Sequence, residues 1–434
     1  MYLFLFIQKK LRFVNSIKIL KLNLRSILIL HINEKYYKCF LMDLYMNENK
    51  VNETEVTPWD VKGVVDYDKL ISIFGVSKIG PKILDFFKNT SLQKNIDLHI
   101  FLKRGLFFAH REFEKIIETV DKKQDFFMYT GRAPGGSMHL GHMIPFLFTK
   151  YLQDIFDVDL IIQIPDDEKF MFKKDLTLEK INEMVKSDLN DLAAFGFNPD
   201  KTFIFKNTEF IKNMYPLYLK TAKKITYSQA RNVFGFENES NIGMISYPAI
   251  QIVPTFFEKK ICLIPCGIDQ NPYFMMQRDI AEGLGYQKNI TILSKFLTSL
   301  TGPEGKMSAS DKDRAILLTD DEQTVKNKIN KYAFSGGKSS IDEHRKLGGD
   351  TTVDVAYQWL YNLLEEDDEK ILKLKTDYES GKLLSSQMKS ELIIKLNEFL
   401  KKHRMNKEYA IKNNLLEKYM YSGKFAKEMW NKKF

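Results

Sequence analysis

From Asp125 onward the chain alternates short apolar runs with longer stretches in which apolar residues recur every three or four positions. Phe126-Phe127-Met128-Tyr129-Thr130 is an unbroken run that predicts a short buried strand, and Gly131-Arg132-Ala133-Pro134-Gly135-Gly136-Ser137 after it reads as a turn-rich loop. Leu140, Ile144, Leu147, Phe148, Tyr151, Leu152 and Ile155 follow at helical spacing, and Leu160-Ile161-Ile162-Gln163-Ile164 is the next apolar strand. Strand, helix and strand within about 40 residues make a βαβ unit, because parallel neighbours need a crossover between them. Further strands are predicted over 203–205, 262–265 and 289–293, each separated from the next by helical pattern. The fold class is therefore α/β, a doubly wound parallel-sheet (Rossmann-like) domain over residues 121–335. After about residue 335 strand patterns stop. Tyr357, Leu360, Tyr361 and Leu364, and then Met388, Leu392, Leu396, Phe399 and Leu400, predict an all-helical C-terminal domain over 336–434, with the acidic run 365–369 as a solvated helix end or loop. Ahead of the α/β domain, 69–74 and 83–87 carry helical apolar faces. They predict an N-terminal element over 46–120, beginning near Pro58-Trp59 and packing on the catalytic domain.

Charge changes this picture at both ends. The net charge is +9, yet residues 1–41 alone carry eight Lys/Arg against one acid, and 401–434 carry ten against three, so the long middle is acidic. The body is not a basic protein. A nucleic-acid partner would have to bind through local patches, the C-terminal one first, unless those lysines only solvate a tail. The segment 1–45 reads as a basic N-terminal extension, either transit-like or an over-extended start with Met42 or Met46 as initiator. Lysines and arginines interrupt its apolar residues too often for a membrane span. Three cysteines, Cys39, Cys262 and Cys266, argue against a disulfide framework and fit a reducing, cytoplasmic setting. Cys262 and Cys266 lack a second ligand pair for zinc and read as small apolar strand residues.

Two motifs carry chemistry. His139-Leu140-Gly141-His142 falls where the first loop enters its helix, so unpaired N–H groups and a positive dipole end are on offer to a phosphate. His139 and His142, three apart, share a face of the first turn, and Gly141 lets a nucleotide approach the backbone. Imidazole N–H donors there can stabilise charge on a transferring phosphoryl group. Lys306-Met307-Ser308-Ala309-Ser310 lies in a glycine-flanked loop able to close on a polyphosphate, with Lys306 as a compact charge for the leaving pyrophosphate. Taken alone, each could be surface polarity. No Walker-type phosphate loop occurs in the chain.

Together, in this order and about 165 residues apart, the two motifs resemble the paired signatures of class I aminoacyl-tRNA synthetases. Tyr129-Thr130-Gly131-Arg132, 163–169, Tyr247-Pro248-Ala249-Ile250-Gln251, Cys266-Gly267-Ile268-Asp269-Gln270 and Ala333-Phe334-Ser335-Gly336-Gly337 are similar to the tryptophan branch of eukaryotic and archaeal type, and the likeness runs from about Trp59 to about residue 425. The resemblance implies that Tyr129 and Gln163 hydrogen-bond an indole N–H, that Glu168, Gln251 and Gln270 surround the amino-acid head group, and that Phe274 packs on the indole ring. It implies that Thr130, Gly131, Arg132, Gly141, Lys169, Met307 and Ser310 contact ATP, with His139, His142, Lys306 and Ser308 catalytic. No protein metal ligand is evident, so Mg²⁺ is expected to arrive on the phosphates. L-tryptophan, ATP and tRNA(Trp) are the implied partners, a homodimer the implied assembly, and 336–434 the implied anticodon-binding domain. A tyrosyl enzyme shares the fold but needs an acceptor for a phenol. A small-metabolite nucleotidyltransferase would lack the lysine loop, and a non-catalytic RNA-binding paralogue would be expected to have lost His139, His142 or Lys306. The loop 133–137 is one residue shorter than the family pattern, and Pro165 and Gly267 also depart from it.

Overall fold

The computed structural model describes residues 55–56, 61–62, 65–306 and 312–434; at 55, 56, 61, 62, 303–306 and 312 the backbone alone is described. The basic extension 1–45, Pro58-Trp59 and the loop residues Met307, Ser308 and Ser310 lie outside the described residues.

Helices α1 (Tyr67–Phe74) and α2 (Pro81–Gln93) flank a short strand, β1 (Ser77–Lys78), and are followed by β2 (Phe107–Arg111). The predicted strands are β3 (Phe126–Gly131), β4 (Asp159–Ile164), β5 (Thr202–Lys206), β6 (Ile261–Gly267) and β7 (Ile290–Ser294). Helix α3 (Leu140–Phe156) joins β3 to β4. After β4 come α4 (Asp166–Phe172) and α5 (Leu178–Ala193), after β5 α6 (Asn207–Ala222) and α7 (Ile242–Ile252), and after β6 α8 (Asn271–Ala281). The seven strands form one sheet in the order β1-β2-β7-β6-β3-β4-β5. Strands β3 to β7 are mutually parallel, with Tyr129 opposite Ile161 and Met128 opposite Leu263. β2 is antiparallel to β7 and β1 antiparallel to β2. The element expected to end at 120 thus supplies two strands to the sheet, and the sheet does not begin at 121. β1 is the two-residue edge strand and β2 stands between it and β7, both antiparallel, and neither carries the unbroken apolar run of a central parallel strand.

That run has a physical cause. Phe126 to Thr130 and Leu160 to Ile164 are buried throughout because helices cover both faces. Successive side chains alternate between two cores. Met128, Ile162 and Leu263 face α3 and α5, in a cluster that continues into the helical region through Trp359, Leu392, Leu396 and Leu400. Phe127, Tyr129, Ile161 and Ile264 face α6, α7 and α8. The chain fills the β4–β5 side of β3 first and returns to the β6–β7 side later. The loops leaving β3 and β6 therefore part in opposite directions and open a crevice at the carboxyl ends of these strands.

A hairpin, β8 (Thr298–Ser299) with β9 (Gly302–Lys306), carries Lys306 at its end. Past it the described chain contains no further labelled strand: α9 (Glu322–Tyr332), α10 (Val355–Trp359) with a π-turn over Leu360–Leu364, α11 (Asp368–Glu379), α12 (Ser385–Lys412) and α13 (Lys424–Asn431) make a helical region. Two expectations change here. The acidic run is a solvated helix start as expected at Glu366, Asp367, Asp368 and Glu369, with Asp367 capping α11, but Glu365 is 3% exposed and its carboxylate meets Lys370 at 3.1 Å and Lys395 at 3.2 Å. A run of acids cannot reveal that a lysine thirty positions on will fold beside it. Nor is 401–434 a free tail. Arg404 donates to the Asp320 carbonyl at 3.2 Å, Lys407 pairs with Asp191 at 2.7 Å, and Lys432 pairs with Glu258. Phe425 and Met429 of α13 are buried in the core that holds Phe203, Phe205 and Phe210. Cys262 and Cys266 are buried on β6 as free thiols, and burial pushes both well above the ordinary thiol range. No helix among the described residues is long and apolar enough to cross a membrane.

Candidate active site

The crevice floor is built from the ends of β3 and β4. Tyr129 Oη is 2.5 Å from Gln163 Oε1 and 2.9 Å from the Gln251 carbonyl oxygen. Gln163 Nε2 donates to Asn207 Oδ1 at 2.8 Å, and Asn207 Nδ2 donates to Asp167 Oδ1 at 2.8 Å. This chain leaves no choice of amide orientation. An ionised carboxylate only accepts, so the Asn207 amide turns its nitrogen to Asp167 and its oxygen to Gln163, and Gln163 must turn its own oxygen to Tyr129. Two oxygens with spare lone pairs, Tyr129 Oη and Gln163 Oε1, therefore sit side by side. They suit a ligand that brings an N–H and no acceptor. Phe274 of α8 packs its ring edge-on to Tyr129, with centroids 6.1 Å apart. The Tyr273 hydroxyl and the Asn271 amide, also on α8, are buried with no hydrogen-bond partner among the described residues.

Glu168 on α4 lies half-buried. Loss of water pushes its carboxyl up to about 7, with the charge of Asp167 adding and the Tyr247 hydroxyl opposing. Burial likewise raises Asp167 to about 6, against the lowering effect of Asn207. Tyr247 donates to Gln251 Oε1. Gln251 is thus held by both tyrosines, through its amide oxygen and through its carbonyl. Gln270 follows β6 with its Nε2 3.4 Å from Asp269 Oδ2. A carboxylate raised this far and close to charge balance suits a cationic partner that would draw its proton off.

The other half of the crevice lies at the start of α3. His139 stands just outside the helix in an extended conformation, φ −107° and ψ 168°. Its ring stacks on that of His142 with centroids 3.5 Å apart. Glycine between them keeps the contact loose: a Cβ on Gly141 would come within 3.1 Å of the His139 ring, which would have to shift by a few tenths of an ångström. His142 Nδ1 lies 3.3 Å from the His139 backbone N and 3.3 Å from Arg132 Nη2. Both neighbours can only donate, so Nδ1 accepts and the ring proton sits on Nε2. Gly131 must be glycine, since a Cβ there would be 2.8 Å from the Gln163 carbonyl oxygen. Thr130 is buried, with its hydroxyl 3.5 Å from the Pro265 carbonyl; the pleat turns it into the sheet. Arg132 differs most from expectation. Its guanidinium is buried and turned onto Asp188 of α5. Burial lowers its proton affinity and the Asp188 charge restores it. Lys169 is also lowered by burial, with the Glu168 charge opposing.

The first motif meets the segment that follows the lysine loop. Leu140 N donates to the Ile316 carbonyl at 3.2 Å, Leu318 N donates to the Met138 carbonyl at 2.9 Å, and His139 bridges Leu317. The root of the hairpin is fastened to the helical region, where Trp359 Nε1 donates to the Thr298 carbonyl at 2.9 Å. Lys306 ends β9; its side chain, with Met307, Ser308 and Ser310, lies outside the description. Among the described residues no group of three or more His, Cys, Asp or Glu side chains could hold a metal ion. Sequence reasoning missed Asn207, Asp167, Tyr247 and Asp188. Asp167, as a neighbour of Glu168, and Tyr247, one helical turn before Gln251, had a local signal; Asn207 and Asp188 become partners only through long-range packing.

Comparison with known proteins adds to this geometry. The family described as tRNA synthetases class I (W and Y) matches residues 121–401. A protein of Sulfurisphaera tokodaii named tryptophan–tRNA ligase is 54% identical over 377 residues, 87% of this chain and 98% of that protein. One of Pyrococcus abyssi with the same name is 48% identical over 382 residues, 88% of this chain and 98% of that protein. Among solved structures, a product-bound parasite tRNA synthetase superposes with a TM-score of 0.79 at 41% identity, covering 85% of this chain and all of that one. The Giardia lamblia tryptophanyl-tRNA synthetase superposes with a TM-score of 0.77 at 38% identity, covering 82% of this chain and 95% of that one.

Proposed function

The chain belongs to the class I tRNA synthetases of the tryptophan and tyrosine family, and from that premise we infer that it is a ligase that activates L-tryptophan with ATP and transfers it to tRNA(Trp). The observation that carries the reading is the locked Tyr129–Gln163 oxygen pair beside Phe274. Indole is a donor only and an aromatic plate, so it meets both features. A tyrosine ligase is the alternative within the family; the tryptophan–tRNA ligases similar over almost the whole chain do not favour it.

The residue roles follow as part of the same proposal. In the first step a tryptophan carboxylate oxygen attacks the α-phosphorus of ATP, a new P–O bond forms, and the bond to the pyrophosphate oxygen breaks. The carboxylate is ionised at neutral pH, so no general base is needed, and catalysis is positioning plus electrostatic stabilisation. Glu168 faces the substrate ammonium, and Gln251 and Gln270 complete the head-group site. His142, protonated on Nε2, donates to the phosphates at the start of α3 together with His139. Lys169 adds positive charge between the two halves. Lys306, Met307, Ser308 and Ser310 close on the departing pyrophosphate. ATP brings Mg²⁺, which neutralises charge on the phosphates. In the second step a terminal ribose hydroxyl of the tRNA attacks the acyl carbon and AMP leaves. The proposed working unit is a cytoplasmic homodimer in which the tRNA reaches from one subunit's crevice to the other's helical region. The exposed Lys401 and Lys402 of α12 support this last point.

The test is ATP–pyrophosphate exchange with each of the twenty amino acids. Tryptophan should support exchange and tyrosine should be rejected by about 10⁴ or more, since a buried polar site left unpaired discriminates strongly. Comparable exchange with tyrosine overturns the assignment.

A further inference from the structure

We infer that Asp188 is a positioning residue for the adenylation step, acting on the nucleotide side of the crevice through Arg132 and the 133–137 loop. The inference rests on the functional reading above and deepens it. Asp188 sits on α5, away from the two signature motifs in sequence, and its side chain is 2% exposed. One carboxylate oxygen, Oδ2, accepts both from Arg132 Nη1 and from the Gly135 backbone N, the latter at 2.8 Å. These donors stand on either side of Ala133-Pro134, so a single anion pins the start and the middle of the loop. From that anchor Arg132 extends its second amino group to two places: the Ser137 carbonyl at 3.3 Å, which closes the loop, and His142 Nδ1 at 3.3 Å. The loop also lies directly on α5. Gly136 has φ +73°, and a Cβ there would come within 3.1 Å of Met184 Cγ, one helical turn before Asp188. Met184 sets how near the loop comes, and Asp188 sets its register.

The consequence is chemical as well as steric. Arg132 reaches His142 because Asp188 holds it there. As a pure donor against Nδ1, it keeps the imidazole proton on Nε2, the nitrogen that the functional reading above assigns to the phosphates. Arg132 therefore serves the site indirectly, and the anion that orients it is the part of the apparatus that neither signature motif contains. A merely structural ion pair would share the burial but would not link the loop to the imidazole.

Two variants test this in pyrophosphate exchange. Asp188→Asn is isosteric and keeps an oxygen for Gly135 N–H but drops the charge that holds Arg132; Asp188→Ala drops both. The KM for ATP should rise about threefold or more in the Asn variant and about tenfold or more in the Ala variant, with a fall in kcat, while the KM for tryptophan stays within about twofold. If the Ala variant fails to fold, the Asn variant decides alone. Introduced into His142→Ala, Asp188→Asn should cost clearly less than it does alone, because the imidazole link is already gone and only the hold on the loop is left to lose. An ATP KM that does not move in the folded Asn variant, a tryptophan KM rising in step with it, or full additivity with His142→Ala overturns the inference. Failure of the unaltered enzyme to exchange with tryptophan would instead sink the functional reading, and the two failures are told apart in one assay.

Discussion

If Glu168 holds the substrate ammonium as proposed, one titration joins stability and substrate binding. The Glu168 carboxyl lies at about 7 rather than the ordinary 4.5, first because burial removes water and then because Asp167 stands beside it. A raised acid means that the folded chain keeps a proton that the unfolded chain releases. The resulting stabilisation is complete below about 4.5 and is lost as pH rises through about 7. The gap corresponds to an upper figure of about 3 kcal/mol that ionised Glu168 costs the fold at pH 8. Glu168→Gln cannot ionise, so at pH 8 the variant should melt above the unaltered protein, and the difference should shrink towards pH 5. Binding runs the other way. The tryptophan ammonium is charged throughout this range and, on the role proposed for Glu168, pairs with the carboxylate. At pH 6 only about one-tenth of Glu168 is ionised, so the Kd for tryptophan should be about tenfold weaker than at pH 8, and binding near pH 7 should release a proton. At pH 8 Glu168→Gln should bind tryptophan about 10- to 100-fold more weakly, through loss of a charge-assisted hydrogen bond. Calorimetric titration from pH 6 to 8 in two buffers of different ionisation enthalpy measures the affinity and the proton count, and thermal melts give the stability. The reasoning fails if the affinity is flat over this range, if the Gln variant keeps the pH dependence, or if it melts below the unaltered protein at pH 8.

Lys306→Ala should lower kcat for adenylation by about 10²-fold or more with tryptophan affinity nearly intact, since its charge counts most as pyrophosphate departs; lost tryptophan binding at unchanged kcat would contradict that role. Lys401→Ala with Lys402→Ala should weaken tRNA binding and reduce its salt slope by about 2, leaving pyrophosphate exchange within about twofold, and an unchanged KM for tRNA at two salt concentrations would assign these side chains to solvation alone. Lys407→Ala belongs to a different class: it strips a partner from the buried Asp191, so Tm should fall with the salt slope unmoved, and a drop in the slope would show that Lys407 meets the RNA.

Much of the molecule was legible along the chain. Central parallel strands such as β3 and β4 are covered on both faces, so they must be written as unbroken apolar runs; α3 and α12 are covered on one, so they carry periodic stripes. His139, Gly141 and His142 announce a helix start that can meet phosphate because capping and dipole are local properties of that turn. The two strands β1 and β2 were not legible: β1 has two exposed residues and is bonded along one side only, and β2, paired antiparallel to β1 and β7, breaks its apolar run at His110 and Arg111. Likewise Glu365 read as solvated along with its four exposed neighbours, because nothing near it in sequence shows that Lys395 would neutralise it.

The sequence by itself thus determined the element types, the α/β class and the chemical groups available to the site. Tertiary structure alone decided which of those groups face one another: Asn207 locking the Gln163 amide, Asp188 turning Arg132 onto His142, and residues 316–318 closing against 138–140 at the start of α3. Propensity, capping and periodicity act over a few residues and are written in sequence. A hydrogen bond between residues 44 or 56 positions apart depends on sheet order and helix packing, which no local pattern encodes.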